Sequence, residues 1–464
     1  MNLRRSRHPR AEPPGEPPAE PRDEGAAGPP RRRWRRYLKR TLLVIAVLMI
    51  PVGYSYGRAI TGPGNDSLGA RSVEWMRENH MGWAVDKVER TWYDHHQAPI
   101  GGQPSADARS LGIETQDSPG PTTSSAVPAT TLPAIGPEGP PIGNAIGAPA
   151  TISPSTIAPA TIAPATTAAR GLDPPAPLVS PASQPVAGEG QWLGIGPQTP
   201  GIGPQTPGQP DAGLPDAGRW AAYGTLIRPD AVHTSVLDAV VWMDPTLLEF
   251  RQYPGVKIPG SPWDRTDYVE PARQPALLAA FEGGFRLNDS HGGMFLGTTM
   301  LKPLRDGGAT FVVDHDGRPD IGKWGRDFTS TATLDSARQN LDLIVDGGAV
   351  VPTLATDPNK QWGFTGPANK DAVWRSGAGI TADGALVWVG GNGLSVVSLA
   401  QRLVSAGAVR AMQLDINHEW VQFNVYTTNA TGEVHGSKLL SDMQHGDDRY
   451  LSEDTRDFIA VFRR

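Results

Sequence analysis

Residues Arg375–Trp420 read RSGAGITADGALVWVGGNGLSVVSLAQRLVSAGAVRAMQLDINHEW, and the fold follows from how that stretch is read. Asp383-Gly384 lies between two apolar runs, the short-range signature of a β-hairpin. Ser395 is placed to N-cap a helix, and Val396, Leu399, Leu403 and Ala406 supply its apolar stripe. Gly407 supplies the residue that ends it. A third apolar run, Ala411–Leu414, finishes on Asp415, with Asn417, His418, Glu419 and Trp420 crowded just beyond. A regular scaffold ending in polar and aromatic side chains is how many sites are presented.

Working outward, Trp220 opens the globular part, and short strand-like runs recur between turn signals. They are Val236–Met243, Leu277–Phe281, Thr310–Val313, Leu341–Val345, Val350–Leu354 and Ala385–Val389. Asp316-Gly317 marks a second hairpin. Many hairpins with few helices predict an α+β class: a hairpin-rich, mixed-sheet domain over 219–464.

Toward the N-terminus the composition changes. Residues 98–218 are Pro, Ala, Thr, Gly and Ile without periodicity, and GIGPQTP repeats at 194–200 and 201–207. Such a stretch predicts an extended linker holding the last domain away from its attachment. Residues 66–97 regain helical spacing through Val73, Met76, His80 and Trp83, with a break expected at Gly82. The apolar run 41–60 follows the cluster RRRWRRYLKR and predicts a transmembrane signal-anchor, N-terminus in the cytoplasm. A cleaved signal peptide ending near Ser55-Tyr56-Gly57 and a twin-arginine signal at Arg35-Arg36 are the alternatives, and all three place the C-terminal domain outside. Residues 1–40 read as a disordered basic tail.

Composition sets further limits. With no cysteine in 464 residues, disulfides, zinc thiolates and a thiol nucleophile are excluded. The net charge is -6, and residues 1–40 carry 12 basic against 5 acidic side chains. The folded part is thus acidic overall, which argues against nucleic acid as a partner.

Four motifs in order resemble the phosphodiester glycosidase domain family, over roughly 275–425. They are Phe281-Glu282-Gly283-Gly284-Phe285, Asp346-Gly347-Gly348, the Arg375…Asp383-Gly384 hairpin, and the helix and strand leading to Leu414-Asp415. The resemblance implies a glycosidase acting on a sugar phosphodiester. Two places depart from the family pattern. Glu282 stands where the family has Asn, and Ile416-Asn417-His418-Glu419-Trp420 stands where it has a glycine-rich turn.

Glycoside cleavage commonly uses two carboxyl groups. Asp415 is the first candidate, with Asp346 and Glu282 as candidates for the second; Glu419 is a further catalytic candidate. His291 and His418 are candidate general acids or bases, being the side chains that titrate near neutrality. Arg375 has the planar fork that grips phosphate, and Gly283, Gly284, Gly347 and Gly348 would let backbone N–H groups approach an anion. Asn417 and Trp420 complete the expected carbohydrate contacts. Asp289, Asp314 and Asp316 are the carboxylates that would hold a cation such as calcium, although no ligand-spaced loop frames them. Each has a plain structural alternative: Asp-Gly and Gly-Gly also make ordinary turns, and a strand-end Asp is often a cap. The expected function is a membrane-anchored, extracytoplasmic hydrolase of sugar-1-phosphodiesters or related envelope glycans; the alternative is a non-catalytic glycan-binding or scaffold module.

Overall fold

A computed structural model describes residues 31–62, 64, 66–113, 171–198, 219–260, 263–355 and 372–464. The chain divides into two units, Met1–Thr61 and Gly62–Arg464. In the first, helix α1 (Arg31–Ile60) includes Tyr37–Ile60, 24 residues long and apolar enough to cross a membrane. The basic stretch 31–40 is therefore the first part of a helix rather than of a tail, and 1–30 lie outside the described residues.

The second unit begins with α2 (Leu68–Glu78) and α3 (Gly82–His95). Its first strands are β1 (Leu193–Ile195), β2 (Ala222–Ile227), β3 (Asp238–Met243), β4 (Leu248–Tyr253) and β5 (Leu277–Glu282). After the single-turn helix α4 (Leu287–Ser290) come β6 (Met294–Leu296), β7 (Thr299–Lys302), β8 (Ala309–Asp314) and β9 (Pro319–Lys323). β10 (Leu334–Gln339), β11 (Leu343–Asp346), β12 (Ala349–Val350), β13 (Val373–Thr381) and β14 (Leu386–Leu394) follow. The chain ends with α5 (Val396–Ser405), β15 (Ala408–Gln413), β16 (Phe423–Thr428), β17 (Val434–Lys438) and β18 (Phe458–Arg463).

Three sheets result. One has eight strands in the order β1-β2-β3-β14-β13-β15-β11-β12; the others have five each, β7-β6-β10-β8-β9 and β17-β16-β5-β18-β4. Every pairing between these strands is antiparallel. The class is α+β, as the hairpin signals imply.

Side-chain alternation along the long sheet builds two cores, as a period of two requires. Ala239, Val241, Met243 and Trp388 join Phe250, Phe281, Phe311 and Phe423 of the smaller sheets. Val240, Trp242, Val387 and Val389 point the other way, into a core shared with Val396, Leu399 and Leu403 of α5. That helix keeps its predicted stripe. Ser395 accepts from Ser398 N while Ser398 Oγ accepts from Ser395 N, a reciprocal cap. At its far end Gly407 takes φ +94°, which a side chain would resist.

Two described pieces of the 98–218 stretch belong to this folded unit. Ala98 N donates to Ala372 O (2.9 Å), Gly101 N to Val232 O (2.8 Å) and Gly112 N to Leu439 O (3.0 Å). Farther along, β1 pairs with β2, and Gly190 N donates to Leu226 O (2.8 Å). A Pro- and Gly-rich composition thus coexists with docking by backbone hydrogen bonds, which need no apolar periodicity. The rest of the expected linker, 114–170 and 199–218, lies outside the described residues.

The helical segment also differs from expectation. Its break, at Asn79–Met81, falls just before Gly82 as expected, but α2 buries Ala70, Arg71 and Glu74 rather than an apolar stripe, while Trp83 is 73% exposed. The partners of that buried face are charged, which hydrophobic spacing cannot register.

Candidate active site

The Asp415 end of β15 meets the start of β13, the end of β5 and the turn entering β18. Asp415 N donates to Ser376 Oγ (3.2 Å), and Ser376 N donates to Asp415 O (3.0 Å). The register between β13 and β15 therefore fixes the carboxylate in place. Its Oδ1 accepts from Ile416 N (2.8 Å) and Asn417 N (3.1 Å), and Oδ2 faces Arg456 Nη1 at 3.3 Å. Burial pushes the Asp415 carboxyl above its ordinary range, against the pull of Arg456 and of the two N–H donors.

Arg456 is the centre of the cluster. Its guanidinium lies 3.5 Å from the centroid of the Trp420 ring and also faces Glu74 Oε1, Nη2 being 3.6 Å away. Behind it, Arg338 grips Asp457 with Nε at 2.9 Å and Nη2 at 3.2 Å, both side chains buried. Arg449 and Asp454 make a second buried pair at 2.7 Å. Gly283 sits against this network, where a Cβ would fall 2.2 Å from Asp457 Oδ2.

A cavity of about 730 Å³ opens over Asp415. Its wall includes Asp415, Asn417, His418, Glu419, Trp420, His291 and Asp289 from the expected set, together with Arg456, Arg286, Glu74, Arg77 and Trp92, which sequence reasoning did not single out. His418 Nε2 lies 2.7 Å from Asp442 O, and its ring stacks on Trp374 with centroids 4.6 Å apart. Glu419 Oε1 accepts from Ser67 N (3.4 Å) and lies 3.7 Å from His445 Nε2. His291 has φ +53°, ending α4 in a left-handed turn.

Other expected residues lie elsewhere. Arg375 is fully buried within the long sheet, its Nε donating to Leu394 O (2.9 Å) and Nη1 to Gln413 Oε1 (3.1 Å). Strand alternation turns it away from the cavity. Asp346 accepts both terminal nitrogens of Arg326 (2.7 and 2.9 Å) on the surface hairpin, where Gly347 and Gly348 take φ +62° and +77° as turn residues. Gly283 N is used by Asp457 O (2.9 Å), and Gly284 (φ +116°) packs against Leu414 O. The paired glycines here serve close packing and a turn rather than an anion.

Glu282 is buried one layer behind Asp415. Ser376 Oγ donates to its Oε1, and Gln422 N to its Oε2 (3.2 Å). Burial pushes its pKa up to about 8, above the restraint of those donors, so the group is largely protonated at neutral pH. It reaches the cavity only through Ser376 and Asp415.

The cation expectation does not assemble. Asp289 pairs with Arg286 (2.9 Å), whereas Asp314 accepts Asp316 N and Arg318 N in the β8–β9 turn. Among the described residues no group of three or more His, Asp or Glu is placed to hold a metal.

Charge on the cavity wall favours carboxyl groups. Glu74, Asp86, Glu89, Asp289, Asp415 and Glu419 face Arg77, Arg286 and Arg456. Each arginine is engaged: Arg77 with Asp86 (3.1 Å) and Glu89 (2.8 Å), Arg286 with Asp289, and Arg456 with Asp415. An incoming phosphate would have to displace a carboxylate.

No protein-family model matches the chain, and no curated protein does. Among solved structures, one similar chain is the zebrafish N-acetylglucosamine-1-phosphodiester alpha-N-acetylglucosaminidase catalytic domain, described as auto-inhibited by its pro-peptide. It is 10% identical with a TM-score of 0.33, over 55% of this chain and 85% of that one. A hypothetical protein from Synechocystis is 13% identical with a TM-score of 0.27, over 49% of this chain and 59% of that one. The resemblance to a glycosidase domain is thus distant in structure as well as in sequence.

Proposed function

We propose that this chain is a membrane-anchored glycoside hydrolase whose C-terminal unit works outside the cytoplasm on cell-envelope glycans. The observation that carries the reading is Asp415, held in the wall of the cavity by two N–H donors and Arg456. A fixed carboxylate of this kind stabilises positive charge developing at an anomeric carbon, and Trp92 on the wall offers a face for a sugar ring. The helix Tyr37–Ile60 provides the anchor, and the basic cluster before it favours a cytoplasmic N-terminus.

Within this reading the linkage is a sugar-1-phosphodiester or a related glycan bond, and the charge of the wall favours the latter. Neutral or amine-bearing sugars meet no opposing field there; a phosphodiester meets six carboxyl groups against three arginines, each already paired.

The test is turnover by the full-length chain in detergent, across sugar phosphodiesters and neutral, N-acetylated and de-N-acetylated oligosaccharides. Asp415→Asn is expected to lose about 10²–10³-fold in kcat, the scale for removing one electrostatic stabiliser. Wild-type silence across that panel, or full activity in the variant, would sink the proposal. One observation favours a second reading, a glycan-binding module without turnover: both oxygens of Asp415 already have partners. Oligosaccharide binding with no product release would select it.

A further inference from the structure

We infer that Glu74 is the second carboxyl group of the active site, so that helix α2 is part of the catalytic cavity; this rests on the hydrolase reading above. The expected partners for Asp415 do not serve. Asp346 is on a surface hairpin, Glu282 stands behind Ser376, and Glu419 on the cavity wall is already engaged by Ser67 N (3.4 Å) and His445 Nε2 (3.7 Å). Glu74 lines the cavity and shares one guanidinium with Asp415. Arg456 Nη1 is 3.3 Å from Asp415 Oδ2, and its Nη2 is 3.6 Å from Glu74 Oε1.

Glu74 has the signature of a group kept for chemistry. It is 4% exposed, and neither carboxyl oxygen accepts a hydrogen bond from any described residue. Its other close cation is Lys257, at 3.6 Å. A buried carboxyl group without donors is disfavoured, and a helix serving only as a cover would bury an apolar side chain there. Nor is Glu74 needed to hold α2 down. Thr455 Oγ1 donates to Asp66 Oδ1 (2.7 Å), and Ser67 N donates to Glu419 (3.4 Å).

Hydrogen bonding separates the two carboxyl groups by task. Asp415 accepts from two N–H donors on Oδ1 and Glu74 from none, which gives the base's part to Asp415 and the acid's part to Glu74. Glu74 gives its proton to the glycosidic oxygen as the bond from C1 to that oxygen breaks, the electron pair staying on the oxygen. A water molecule adds its oxygen to C1 and passes a proton to the Asp415 carboxylate. Asp415 then loses that proton to solvent and Glu74 regains one, which completes hydrolysis.

The experiment compares Glu74→Gln and Glu74→Ala with wild type in the full-length chain. Nitrophenyl glycosides and the corresponding methyl glycosides or oligosaccharides are the substrates. Nitrophenolate departs without a proton and an alkoxide does not. The expected result is a kcat loss of about 10²-fold or more on the unactivated substrates, less than about tenfold on the nitrophenyl glycoside, and little change in KM. Added formate should restore part of the Glu74→Ala activity. Equal losses on both substrate types with no formate rescue would mark Glu74 as structural and overturn the inference. A rise in activity on Glu74→Gln would make α2 a plug and overturn it as well. Wild-type activity unchanged by either variant removes the inference and leaves the hydrolase reading standing, whereas wild-type silence removes both.

Discussion

Helices α5 and α2 pack on the same folded unit and bury opposite chemistries. α5 buries Val396, Leu399, Ala400 and Leu403, each fully enclosed in the core behind the long sheet. α2 buries Arg71 and Glu74, and its partners are Arg456, Lys257 and the backbone around Asp66. The first arrangement is what stability selects: apolar area removed from water, with caps at both ends. The second opposes stability locally, since desolvating charges is unfavourable unless each is well paired. A fold tolerates such a helix where its side chains have a task, and α2 lies over the cavity that holds Asp415.

The comparison breaks most sharply at the two anchor points. Leu399→Ala should lower unfolding free energy by about 2–5 kcal/mol while leaving KM near wild type, because its cavity opens in the core away from the site. Arg456→Ala should destabilise by a similar 3–5 kcal/mol or so, leaving Asp415 and Glu74 buried without their shared cation, and should abolish activity besides. Denaturant melts paired with turnover separate the two. If Arg456→Ala melted like wild type, the charged cluster would not be the rigid wall described above.

How much of this was legible in the sequence follows from the same contrast. Ser395, Gly407 and the two Asp-Gly hairpins announce themselves through local spacing, so the Arg375–Asp415 scaffold could be read directly. Asp415 and the residues after it were found by their place at a strand end. Arg375 is hard to place because successive residues in a strand face opposite ways and sequence does not say which face holds the cavity; here Trp374 joins the core between the sheets and Arg375 turns to the other side. Glu74 and Arg456 were missed for a different reason. Arg456 links Glu74 and Asp415 from distant parts of the chain, and neither Glu74 nor Arg456 sits in a spaced motif. Long-range charge pairing leaves no periodic trace.

Glu282 sharpens the comparison on a smaller scale, as a buried carboxyl group that does have donors. Its folded pKa, about 8, lies above the ordinary 4.5. Its contribution to stability is therefore fully present below about pH 4.5 and is lost as pH rises through 8, where the unfolded chain is already ionised. Glu282→Gln keeps the shape and removes the titration. The variant should gain on wild type by a few kcal/mol between pH 5 and pH 9, seen as a Tm difference that grows with pH. A constant difference across that range would mean the group is ionised in the folded state.

The smallest effect belongs to the residue that sequence resemblance ranked beside Glu282. Asp346 pairs with Arg326 and Lys323 on the hairpin between β11 and β12, and Arg326 leaves 48% of its side chain in solvent. Arg326 holds the Asp346 carboxyl below its ordinary range, but water and salt screen a pair so exposed. Asp346→Ala should therefore shift stability by about 1 kcal/mol or less, with kcat and KM unchanged on whatever glycan the wild type turns over. Parallel melts and kinetics on the variant check both. A loss of kcat comparable to that of Asp415→Asn would move the active site from the cavity under α2 to the turn at Gly347-Gly348, and the division of labour between α5 and α2 would have to be redrawn.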